Sequence, residues 1–430
     1  MTVIAVFLLV VLGIAIFPML IPYLLSGYMV LNGFASRSFI NNLNISVGGA
    51  NIFLPDLFFA TAIFLTIAGV TRILITGRLR LLSSSTKVIL FWVACYILFF
   101  MGKIIAGYIE GVPLDSMVRR FALDTQCIYL FVPLLYLKQE KTLRTLLYFI
   151  VLLSILFPLG QPFLYGTADQ VSFEQGQGTL RLGFGYANLL MMLGVLAFFV
   201  WENKIWLSSL PLAGIAMLAQ RSAFISLALC IIFLTLKKKN NVKFISMLGA
   251  SGLLLIATLF IIQTTMNIPV VDKAIERVSE TFEYTGTTKA RINVIPITFE
   301  QIGNKPWLGF SYKEIYTLQL QQNRVAFAFN MLHPHNFILS SLLRTGFIGT
   351  LILFIIIALV LLSAYKLMRE RNIHKQGMYL FSTLLFFIVF GIMNTSFISA
   401  GYVFWILTGI TLWYLNQIHY LENLQGGNEQ

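Results

Sequence analysis

Between Gly346 and Tyr365 the chain carries no charged side chain, and apolar runs of this kind recur along most of the sequence. A helix rises about 1.5 Å per residue, so about 20 apolar residues match the roughly 30 Å of hydrocarbon in a bilayer. Inside that layer water cannot satisfy backbone N–H and C=O groups, which leaves helices and closed barrels as spanning structures. The alternating pattern of barrel strands, about ten residues per strand, is not visible. Composition agrees: 58% of the residues are hydrophobic and 11% charged, against about 25% charged in soluble domains. The expected fold is an all-α polytopic membrane protein.

The apolar runs predict about twelve spans, at residues 3–28, 53–70, 87–106, 118–137, 143–164, 184–201, 204–219, 222–237, 243–263, 336–364, 378–396 and 400–416. Pro18 and Pro22 fall inside the first, which could be broken there. With no basic leader or small-residue cleavage site, that run reads as a retained span. Basic residues cluster in alternate connections: Arg72, Arg78 and Arg80; Lys138, Lys141 and Arg144; Lys237, Lys238, Lys239 and Lys243; Lys366, Arg369, Arg371 and Lys375. The positive-inside rule makes that side cytoplasmic, together with both termini.

The expected organisation is helices 1–9 within 1–263, a large outward loop over 264–335, helices 10–12 within 336–417 and a polar cytoplasmic tail over 418–430. In the loop, Trp307, Phe310, Tyr312 and Tyr316 stand among polar residues, and Ile292 to Ile302 shows helical apolar spacing. Short helices capping a cavity are expected there.

The formal charge is +13, from 30 Lys and Arg against 17 Asp and Glu. In a soluble protein this would suggest nucleic acid. Here cytoplasmic loops and an anionic substrate account for it, and no nucleic-acid partner is expected. Cys95, Cys127 and Cys230 lie in apolar runs without metal-ligand spacing and read as small buried hydrophobes. No metal site, nucleotide phosphate loop or hydrolase nucleophile elbow is recognisable, so no cofactor is expected. Gly176, Gly178, Gly183 and Gly185 imitate a dinucleotide fingerprint, but without its strand–helix context.

The informative charges are those on the outward side, where arginines are the exception. Arg181 precedes the sixth span, Arg221 sits in the short turn before the eighth, Arg291 lies in the large loop, and His335 ends that loop. Guanidinium groups stay charged and bind phosphate oxygens in pairs, so these arginines suit a diphosphate. Arg181 reads equally well as an interfacial anchor, and Arg291 as a loop charge paired with Glu283 or Glu300. Arg120 and Asp124, four apart, are expected to pair on one helix face beside Arg119. Arg344 is expected to face the protein interior. A near-neutral pKa suits His335 to general-base work. His333 flanks it, and Asn336 could cap the tenth helix. Gly346 and Gly349 are expected to allow close helix packing.

His335-Asn336, followed by Gly346 and Gly349, resembles the signature of the O-antigen ligase and O-antigen polymerase superfamily. Arg181-Leu182-Gly183-Phe184-Gly185, Gln220-Arg221-Ser222-Ala223 and Arg291 followed by Pro306-Trp307-Leu308-Gly309-Phe310 resemble further family segments, in order, over about 165–350. The resemblance implies a GT-C-like fold in the bacterial inner membrane. It also implies metal-independent, inverting transfer of an undecaprenyl-diphosphate-linked glycan to an acceptor sugar on the periplasmic side. In that reading His335 is the base, Arg221 and Arg291 hold the diphosphate, and Arg181 contributes. The acceptor is a glycan or lipid-linked glycan, and a chain-length regulator and a flippase are further partners. Polymerase is the favoured activity and ligase the alternative. A lipid-linked oligosaccharide transporter is the rival from another class, although it would distribute its charges through the midplane. A structural scaffold is a third reading.

Overall fold

The computed structural model describes residues 44–47, 50–77, 82–141, 187–202, 204–217, 221–237, 286–322, 336–393 and 401–426, with short pieces at 143–144, 148, 151–152, 171–173, 180–182, 252–254, 256–257, 260–261, 264 and 334. The architecture is helical. Two short antiparallel hairpins accompany the helices: β1 (Asn44–Val47) with β2 (Ala50–Phe53), and β3 (Val171–Phe173) with β4 (Leu180–Leu182).

Helix α1 is Leu54–Ile75 and α2 is Ser84–Ile109. Ser83 caps α2 by accepting from the Thr86 N–H at 3.2 Å, which satisfies one of the free donors at a helix start. Helix α3 (Leu114–Asp124) is followed by a 3-10 turn (Gln126–Leu130) and α4 (Phe131–Tyr136). The expected span at 118–137 is therefore split at Thr125, whose φ of -106° and ψ of 30° are not helical. The reason lies in composition: Arg119, Arg120 and Asp124 make α3 polar along one side, and the apolar stretch Gln126–Tyr136 measures only about 16 Å as a helix.

Helix α5 (Ala187–Leu196) runs into a π turn (Ala197–Trp201); α6 is Ser209–Met217 and α7 is Arg221–Lys237. The stretch expected to hold capping helices contains α8 (Gly286–Asn304) and α9 (Tyr312–Gln322). Helix α10 (Phe337–Arg369), α11 (His374–Ile392) and α12 (Gly401–Gly426) complete the chain, α12 running well past the expected end of its span at 416.

Four helices among the described residues are long and apolar enough to cross a membrane: Asp56–Ile75, Ser84–Ile109, Phe337–Arg369 and Arg371–Ile392. This is an integral membrane protein. The expected span at 3–28 lies outside the described residues, as do most of 143–164 and 243–263.

Helix α10 packs against α2, α11 and α12, while α12 covers the 3-10 turn and α4. Tyr379, Phe387, Tyr402 and Phe404 are among the most deeply buried side chains. At one end of the bundle Asn416 Oδ1 accepts from the Ser83 N–H and from Thr86 Oγ1, each at 2.9 Å, tying α12 to the start of α2.

Candidate functional site

Helix α10 is broken at Gly346, where φ is 61° and ψ is -165°. A break frees backbone groups that hydrocarbon cannot satisfy, so protein must supply partners. They come from the segment between α8 and α9. The Phe310 N–H donates to Leu343 O at 2.9 Å, the Phe347 N–H to Pro306 O at 2.7 Å, and the Ile348 N–H to Trp307 O at 3.2 Å. Lys103 Nζ, from α2, donates to Arg344 O and, at 2.9 Å, to Phe310 O.

Glycine is required on both sides of this interlock. Gly309 has a φ of 65°, and a Cβ there would stand 2.6 Å from Gly346 N; a Cβ on Gly346 would stand 2.5 Å from Gly309 N and closer still to the Trp307 carbonyl. The expectation of close helix packing at Gly346 is thus corrected, because it is a loop backbone that approaches. Gly349 does allow α10 near α2, where a Cβ would come within 2.9 Å of the Phe99 ring.

Just before the break, Arg344 is buried and its Nη2 donates to Asp124 Oδ1. Arg120 Nε lies 3.7 Å from Asp124 Oδ2, the expected pair on one helix face. The Tyr312 hydroxyl, from α9, donates to the same Oδ2 at 3.1 Å. Burial pushes the Tyr312 phenol above its ordinary range, so it remains a proton donor across neutral pH. Arg120 Nε and Nη2, Arg344 Nε and Ser340 Oγ are buried without hydrogen-bond partners among the described residues. Ser340 and Arg344 line a small cavity of about 30 Å³ together with Tyr96, Asp124, Gln126 and Ser341, among others.

Asn336 caps α10 as expected, accepting from the Ile338 and Leu339 N–H groups at 2.9 and 3.1 Å. His335 lies outside the described residues, between buried Pro334 and this cap. Arg221 is the first residue of α7, Arg291 falls early in α8, and Arg181 is the central residue of β4, opposite Ser172. These are backbone positions. Of the helices concerned, α8 packs against α10, and α7 against α11.

Sequence reasoning passed over Lys103, although a single lysine within an apolar run is a signal of interior function. It also left Arg344 without its partner Asp124, to which no local spacing points.

Residues 206–355 match the family model described as O-antigen ligase. None of the curated proteins compared matches the chain. The matched segment runs from just before α6 into α10 and contains Arg221, Arg291, His335 and both arms of the interlock. Arg181, Lys103, Arg120 and Asp124 fall outside it. The match supports the O-antigen ligase and polymerase superfamily.

Proposed function

We propose, from the O-antigen ligase match over residues 206–355, that this protein is a metal-independent, inverting glycosyltransferase acting on undecaprenyl-diphosphate-linked glycan at the outer face of the bacterial inner membrane. The observation that carries the reading is that one matched segment contains Arg221, Arg291 and His335 in the order that the motifs require. His335 takes the proton from the acceptor hydroxyl as its oxygen attacks the anomeric carbon, and the bond from that carbon to the carrier diphosphate breaks on the opposite side. Negative charge grows on the leaving diphosphate, and Arg221 and Arg291, with Arg181 contributing, neutralise it.

Helix lengths support the placing of this chemistry outside the hydrocarbon. Residues 347–369 of α10 rise about 34 Å, enough to cross a bilayer without the segment before Gly346. Asn336 stands ten residues before Gly346, about 15 Å further along if helical. The fold is read as GT-C-like with both termini cytoplasmic. Polymerisation of repeat units is the favoured activity. The family description, which names a ligase, supports transfer of the finished glycan to lipid A-core as the second reading.

The test is surface glycan length in a deletion strain complemented with wild type or His335→Ala, with membrane levels of both proteins measured. Loss of long glycan with single repeats left on the core identifies a polymerase, and loss of all repeats identifies a ligase. A normal ladder with His335→Ala overturns the base assignment.

A further inference from the structure

Among the described residues the buried cluster at the break is unbalanced. Two guanidiniums, Arg120 and Arg344, share the single carboxylate of Asp124, and all three side chains are between 5 and 7% exposed. The Lys103 ammonium is bonded to the backbone alongside. Buried charges of one sign demand a counter-charge, and buried donors demand acceptors. Arg344 Nε and Ser340 Oγ remain unpartnered among the described residues, and both residues line the same cavity. Ser340 lies on the first turn of α10, four residues after Asn336 and five after His335. The cavity's size, about 30 Å³, exceeds the roughly 10–15 Å³ that one water needs. It is too small for a sugar ring but has room for the tip of one planar anion.

We infer that Arg344 and Ser340, with the charge of Arg120 shared through Asp124, form a subsite for a single carboxylate on the glycan, so that the substrate carries an acidic sugar of the uronate type. The inference rests on the glycosyltransferase reading and narrows its substrate class. One surplus guanidinium charge over Asp124 matches a monoanion better than a diphosphate. The donors suit a carboxylate as well: one oxygen would take the Arg344 Nε–H and the other the Ser340 hydroxyl, since both residues line the cavity. The sugar ring stays outside the cavity.

The experiment uses the full chain in nanodiscs, with melting temperature followed against glucuronate, glucose or inorganic phosphate at neutral pH. Glucuronate should raise the melting temperature, and glucose and phosphate should leave it unchanged. Ser340→Ala should weaken glucuronate binding about tenfold, the size of one charge-assisted hydrogen bond. Its ligand-free melting temperature should not fall, because that hydroxyl has no hydrogen bond to lose among the described residues. A response to phosphate equal to that for glucuronate would assign the cluster to the carrier and overturn the inference. So would no response to glucuronate, an equal response to glucose, or unchanged binding by Ser340→Ala. Glycan ladders from the His335 experiment report on the transferase reading separately: an intact wild-type requirement for His335 with no glucuronate binding removes only the subsite.

Discussion

Replacing Gly346 by alanine is the sharpest perturbation of the interlock. Its φ of 61° and ψ of -165° belong to a region essentially reserved for glycine, and holding another residue there costs about 1–3 kcal/mol. The new Cβ would also stand 2.5 Å from Gly309 N, and backbone cannot turn aside as a flexible side chain can. The loop must therefore withdraw, with three main-chain hydrogen bonds at about 1 kcal/mol each. If α10 straightens instead, the strain disappears, but the loop groups and Lys103 still lose their partners. Withdrawal gives a loss of about 4–6 kcal/mol and straightening about 3–4 kcal/mol. With an unfolding entropy of about 2 cal/mol/K per residue, this is a fall of about 3–7 °C in the melting temperature. Gly102→Ala is the control: nothing lies within 4 Å of its Cβ position in α2, and it should be neutral or stabilising by about 0.5–1 kcal/mol. Thermal unfolding in nanodiscs, with trypsin cleavage at Lys313 as a second readout, distinguishes the two. If both variants melt together and resist trypsin equally, the interlock does not hold the loop to the span.

Lys103→Met keeps the length of the side chain but leaves the carbonyls of Arg344 and Phe310 without their donor. A destabilisation of about 2–4 kcal/mol is expected, with faster amide exchange at Phe347 and Ile348; unchanged exchange would count against the bridging role. Glu314 accepts from Lys305 Nζ and, at 2.9 Å, from the Ser311 N–H. Burial alone would raise its carboxyl, but these donors outweigh burial and hold it below the ordinary range. A depressed folded-state value contributes stability that is complete above the unfolded pKa of about 4.3 and fades as pH falls through the folded value. Wild type and Glu314→Gln should therefore differ in melting temperature above about pH 5 and converge as pH falls through the folded value. The gap should be small, since both partners are more than a third exposed; parallel curves across that range would refute the assignment.

Local features were legible in the sequence because their causes are local. Asn336 caps the helix that follows it, Arg120 and Asp124 meet at helical spacing, and the apolar runs at 53–70, 87–106 and 336–364 correspond to α1, α2 and α10. Arg344 was rightly expected inside, since a charge in an apolar run needs shelter. Its partner Asp124 was not legible, because a contact across 220 positions leaves no periodic trace. The span at 118–137 is split for a related reason: hydropathy averaged over the window conceals a polar first half, and helix α3 stops where the charges do. Gly346 shows the same limit. A glycine in an apolar helix suggests a packed neighbour, and only the fold reveals that the neighbour is the main chain of Pro306 to Phe310. Arg181, Arg221 and Arg291 entered the expected site on their expected sidedness, and their roles belong to the proposal.

The three bonds that hold the loop to α10 run between peptide groups, so they depend on counting rather than on chemistry. Leu308 or Phe310 could change identity without touching a single donor or acceptor, provided glycine stays at 309 and 346. Adding or removing one residue between 306 and 310 would put every one of those pairs out of step. Natural variation in this stretch should therefore be free in letters and strict in length.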